Sequence, residues 1–124
     1  MPPRRPWLPL LLAALPALAT PGPDPALTRC LETALATHDQ LDCLRAATAR
    51  EDARLNRAYR AALARIEAER RPQLREVQRL WIRYRDARCR FFYHRYSGSS
   101  GLLDVEQCLL DETRRRADEL ERLH

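Results

Sequence analysis

Several things are missing from this chain of 124 residues, and each absence closes a route. There is no lysine. All 22 basic residues are arginine, beside much alanine and leucine and one methionine, which reads as a compositional bias rather than selection for guanidinium at a site. With three glycines in all, there is no glycine-rich loop to cradle phosphates. No C-x-x-C occurs, and no histidine stands at short ligand spacing from a cysteine pair, so metal binding is the weaker reading of the four cysteines. No segment shows a strand pattern. Beyond residue 19 no apolar run approaches the roughly 20 residues of a membrane span.

What is present begins with an export signal. Arg4 and Arg5 precede an apolar run from Trp7 to Ala19 that ends in Ala17-Leu18-Ala19, a small-residue cleavage pattern. Residues 1–19 are therefore expected to be a signal peptide, and a periplasmic or secreted protein to follow. The arginine pair supplies n-region charge; twin-arginine export is the other reading. Residues 20–26, opening "TPGPDP", read as a linker and 27–124 as one helical domain. Without Arg4 and Arg5, 20 arginines face 17 acids, a net charge of +3 and a mild excess for a binder of polyanions.

The helices are legible from caps and periodicity. Asp24 before Pro25 suits the start of a short helix carrying Leu27, Leu31 and Leu35. Thr37 with Gln40 forms a capping-box pattern ahead of a helix expected over His38–Arg70, whose stripe is Leu44, Leu55, Tyr59, Ala62, Leu63 and Ile66. Pro72 opens a second long helix, expected to reach Tyr96 and to stop at Ser97-Gly98. A third begins near Leu102 or Leu103, with Leu103, Leu110, Thr113, Ala117 and Leu120 on one side. The fold class is all-α: a three-helix antiparallel bundle with a short N-terminal helix.

Cys30, Cys43, Cys89 and Cys108 then fall at one pole of the bundle. In an exported small domain they read as two disulfides, each contributing about 2–4 kcal/mol. Local and crossed pairings are both feasible at that pole, and the spacing does not choose.

The densest candidate for a site is "QRLWIRYRDARCRFFYHRYSGSSG", residues 78–101. At about 100° per residue, Leu74, Val77, Trp81, Tyr84, Arg88 and Phe91 share a face flanked by Leu80 and Phe92. Arg79, Arg83 and Arg90 lie opposite, with Asp86 placed to pair with Arg83 and Arg90. The reading is a buried aromatic stripe and a solvated arginine face, against a single-strand binder, which exposes aromatics for bases to stack on. The pairs Glu51-Asp52 and Asp111-Glu112 are adjacent, so they diverge on a helix instead of converging as acid–base work requires. His38, His94 and His124 are scattered. No enzyme activity, cofactor or metal is expected. That leaves the polar loop of Arg95, Tyr96, Ser97, Ser99 and Ser100, on a stapled base, as a possible protrusion into a partner's cleft.

Taken in order, Cys30 and Cys43, Leu55-Asn56 with Tyr59, Gln78 with Trp81, Arg85-Asp86 with Cys89, Cys108, then Thr113, Arg116 and Leu120 resemble the LprI-type lysozyme inhibitor family over nearly all of the mature chain. Tyr84 belongs to the same run. The resemblance implies a helical, exported, four-cysteine domain whose motif residues are structural and whose partner is a protein, lysozyme in the named case. Animal lysozymes of the common type are basic, so inhibition would rest on local contacts, such as Arg95 or a loop serine against the cleft carboxylates, and not on long-range steering. The alternative is an envelope adaptor that binds another protein or an anionic surface through its arginines. No nucleic-acid partner is expected, and oligomeric state is not legible.

Overall fold

A computed structural model describes residues 24–124. The expected signal peptide and the linker as far as Pro23 lie outside the described residues. Pro25 and Ala26, assigned above to the linker, already belong to the first helix, α1 (Pro25–Thr33). The Asp24 carboxylate caps it, accepting from the N–H groups of Ala26 and Leu27 at 3.1 Å each. Leu35 lies past its end and is 95% exposed, so it does not extend the leucine stripe.

The next helix, α2 (Thr37–Arg65), starts one residue from the expected box. Ala36 holds the cap position, and the Asp39 carboxylate accepts its N–H at 3.2 Å. At the far end Ile66 turns extended, which leaves its side chain in the core and stops the helix five residues before Arg70. A 3-10 turn (Ala68–Arg70) reverses the chain into α3 (Arg71–Arg90), with Pro72 in its first turn. The last helix, α4, spans Gly98–Arg122.

Successive long helices run antiparallel, so α2 and α4 are parallel. Arg45 meets Glu106, Arg54 meets Asp118, and Arg65 donates to the carbonyl of Leu120. Between α2 and α4 lies the core. Leu55, Ala58, Ala62 and Ile66 pack with Ala117 and Leu120, and nearer the disulfide pole Leu44 and Ala47 pack with Leu110. Ala47, Ala62 and Ala117 are fully buried, and such short side chains let two helices approach closely. Leu27 of α1 covers the second cluster, while Asp24 is held by Arg50 of α2 and Arg114 of α4.

The third long helix departs from its expected orientation. Its buried side chains are Leu74, Gln78 and Cys89, with Trp81 and Arg85 half-buried; Val77, Tyr84 and Phe91, expected in the core, are exposed. The reason is that α2 and α4 satisfy each other's apolar faces. A narrow line of α3 is all that packs, chiefly on α4, and its remaining apolar residues face outward.

The N–H of Leu27, then Arg50, hold the Asp24 carboxyl below the usual carboxylate range. A depressed folded-state pKa adds stability above the unfolded value, and this is lost as pH falls through the folded one. Asp24→Ala should therefore cost about 1 kcal/mol at neutral pH, read as a lowered urea midpoint. The difference from wild type should shrink once the pH is low enough to protonate the carboxyl.

Candidate functional site

Both disulfides sit at the pole where α2 and α4 begin and α3 ends, and the pairing left open by the spacing is local. Cys30 joins Cys43, tying α1 to α2, and Cys89 joins Cys108, tying the end of α3 to α4.

Past Cys89 the chain winds down through N–H donations of Phe92 to Cys89 and Tyr93 to Arg90, which tighten the last turn of α3. The helix thus ends at Arg90 and not at Tyr96. His94 is then tied by one hydroxyl: Ser97 Oγ accepts from its N–H at 3.2 Å and donates to its carbonyl at 2.7 Å. Side-chain bonds of this kind compete with a helix for the same backbone groups.

The polar loop is shorter than its composition suggests, because most of it is helical. Gly98, Ser99, Ser100 and Gly101 form the first turn of α4, and Ser100 Oγ donates to the carbonyl of Ser97. Gly98 takes φ 57°, a left-handed conformation that glycine adopts without strain. At Gly101 a Cβ would stand 2.2 Å from Ser97 Oγ and 2.5 Å from Ser97 Cβ, so this glycine is a close approach and not a hinge. The segment before this turn is exposed as well. Phe91, Phe92, Tyr93, His94, Arg95 and Tyr96 are all exposed, Phe91 at 84% and Tyr96 at 77%, with the Arg95 guanidinium 4.5 Å from the Tyr96 ring centroid. Ser97, Ser99 and Ser100 stand at its root.

Of the motif residues, the structure gathers one cluster between α3 and α4. Gln78 accepts from Arg116 Nε at 2.9 Å, and the guanidinium groups of Arg85 and Arg116 lie 5.0 Å and 5.9 Å from the Trp81 ring centroid. Arg116 Nη1 reaches Glu119, while its Nη2 is buried with no hydrogen-bond acceptor beside the Trp81 face. Arg85 pairs with Asp86 at 2.9 Å, which leaves Arg83 and Arg90 without the acid expected for them. Leu55 and Thr113 are core, Tyr59 packs against it, and Asn56 donates to Asp52. Tyr84 stands apart from this cluster, 57% exposed. Gln78, Trp81 and Arg116 link α3 to α4, whereas the Asn56–Asp52 and Arg85–Asp86 contacts lie within single helices.

Neither acid pair converges on anything reactive. Glu112 is buried against Arg88 (2.7 Å) and Arg115, whereas Asp111 accepts from Gln107. Arg54 is the strongest electrostatic hub: burial opposes its charge, but hydrogen bonds to Glu51, Asp118 and Glu121 outweigh that and raise its pKa. Among the described residues no three His, Cys, Asp or Glu side chains are placed to hold a metal ion, and no helix is long and apolar enough to cross a membrane.

Sequence reasoning missed the outward apolar residues of α3: Val77, Leu80, Tyr84, Phe91 and Phe92. One signal for them was available. Gln78 and Arg85 lie on one face with Leu74 and Trp81, a polar pair that marks this line as the one meeting polar and aromatic groups. Gln78 finds Arg116 on α4, and Arg85 finds Asp86 and the Trp81 ring on α3. The exposed aromatics beside Arg83 and Arg90 also remove the argument from buried aromatics against a nucleic-acid partner.

A family model described as "Lysozyme inhibitor LprI" matches residues 30–120. No curated protein and no solved structure matches the chain.

The close approach at Gly101 makes a sharp test of how the turn is packed. Gly101→Ala should cost about 1–3 kcal/mol in chemical denaturation, because the Ser97 side chain and its backbone must shift. Ser99→Ala, at an exposed helical position, should stay within about 0.5 kcal/mol. In a Ser97→Gly background the Gly101→Ala cost should fall, since the atoms it meets are gone.

Proposed function

The chain belongs to the LprI lysozyme inhibitor family, and from that premise we propose that it is a periplasmic or secreted inhibitor-like protein that occludes a lysozyme cleft with the turn at its disulfide pole. The observation that carries this reading is the segment Phe91–Tyr96, an exposed run of aromatic side chains with one arginine on a base stapled by Cys89–Cys108. Two disulfides fit an oxidising compartment outside the cytoplasm. A pre-ordered turn loses little freedom on docking, which favours affinity from a small contact. Arg95 supplies a cation for cleft carboxylates, and Phe91, Tyr93 and Tyr96 supply aromatic area of the kind that anchors interfaces. The serines act by shaping the turn, with Ser97 and Ser100 engaged by local backbone.

A second reading, an envelope adaptor, draws on Arg83 and Arg90, which make no ion pair among the described residues. The two separate in a lytic assay with purified oxidised protein. Under the inhibitor reading, Arg95→Ala with Tyr96→Ala should weaken inhibition at least about tenfold, roughly 1.4 kcal/mol, with the helical circular dichroism intact. Absence of inhibition across several lysozyme types, well above micromolar protein, would leave the adaptor.

A further inference from the structure

Val77, Leu80, Tyr84, Ala87 and Phe91 follow one another at steps of three, four, three and four residues, and all five are exposed. That spacing drifts only about 20° per heptad on a straight helix, so the five form one apolar seam along α3, about 21 Å long. In a two-helix coil such a seam is the buried one. Here a neighbouring line of α3, about 115° round the helix, does the packing through Leu74, Gln78, Trp81 and Cys89. Val77 edges a cleft beside Leu74, and no helix of the described chain covers the seam from Leu80 to Phe91.

The charges beside the seam say what would cover it. α3 carries seven arginines against Glu76 and Asp86. Arg79 is taken by Glu76, Arg85 by Asp86 and Arg88 by Glu112. Arg71, Arg75, Arg83 and Arg90 make no ion pair among the described residues. Of these, Arg83 and Arg90 each stand one residue before a seam aromatic, at the flanking position that selects partners in paired helices. We propose that the outward face of α3 is a docking seam for an amphipathic helix of about four turns, apolar along one stripe and acidic along the flank that meets Arg83 and Arg90.

Two other occupants fit less well. In a second copy, a parallel pairing would oppose Arg83 to that copy's Arg88, and an antiparallel one would oppose Arg83 to its own counterpart. Like charges at these positions work against pairing. On a flat anionic membrane, the α4 carboxylates beside the seam would be pressed toward the headgroups. Glu119 lines a cleft of about 420 Å³ with Val77, and Asp104 and Asp111 line one of about 350 Å³ with Arg88 and Phe92. A single helix lying on the seam leaves those carboxylates in water.

The test is direct binding, measured by fluorescence anisotropy on the purified oxidised protein, and it is independent of any lytic assay. The probe is a labelled synthetic three-heptad peptide with leucine along its seam and glutamate along its flanks. Saturable binding is expected, weakened at least about tenfold by Leu80→Ser with Tyr84→Ser and weakened by high salt. Arg83→Glu with Arg90→Glu should shift preference to the same peptide carrying lysine for glutamate. Three results would each overturn the proposal: peptide binding indifferent to both double variants, a dimer in sedimentation that is lost on Tyr84→Ser, or tighter seam-dependent binding to phosphatidylglycerol vesicles or oligothymidine than to the peptide.

Discussion

The parallel pairing of α2 and α4 over an alanine-lined seam is the constraint from which the rest of the molecule follows. Ala47, Ala62 and Ala117 are fully buried there, and Leu44, Leu55, Leu110 and Leu120 fill the space on either side. Arg54 binds the two helices from the outside by bridging Glu51 to Asp118 and Glu121, while Arg65 closes the end of α4 by donating to the carbonyls of Leu120 and Leu123. A domain this small has one core to build, and here two helices use most of it.

The consequence falls on α3. It is attached more than it is packed: a disulfide at one end, Leu74 in the core at the other, and between them a polar fastening of Gln78, Trp81, Arg85 and Arg116. Such a fastening works because each cationic group finds an acceptor or an aromatic face; removing one partner would strand a charge against protein. Since only one line of α3 is used, aromatic and aliphatic residues of its outer side remain on the surface, beside Arg83 and Arg90, which make no ion pair among the described residues. The exposed turn after Cys89 continues the same surface, so the pole and the outer face of α3 are one basic, aromatic region presented on a stapled frame.

The serine- and glycine-containing segment shows how composition can mislead. "SGSSG" has the residues of a flexible linker, yet Gly98 is used for its left-handed backbone, Gly101 for its missing Cβ, and Ser97 for two bonds to one neighbour. Ser97, Gly98, Ser100 and Gly101 all help close the turn, and Ser99 faces outward. The expected loop residues Arg95, Tyr96, Ser99 and Ser100 are exposed, and the exposed surface extends from them toward the N-terminus as far as Phe91.

Local chemistry carried much of this protein in its sequence. The helix starts at Asp24-Pro25 and Pro72, the apolar stripes of α2 and α4, the single pole of cysteines and the all-helical class follow from caps, periodicity and chain direction, which depend on residues a few positions apart. Three things did not follow. Which cysteines pair depends on which ends the assembled helices bring together. Where α3 gives way to α4 depends on the bonds of Ser97 to His94. Which side of α3 is buried depends on how much apolar surface the other helices leave unclaimed. That is a property of the assembled packing: α3 is amphipathic about two directions, and only the closeness of α2 to α4 decides that the line with Gln78 and Arg85 turns inward while the line with Tyr84 and Phe91 turns out.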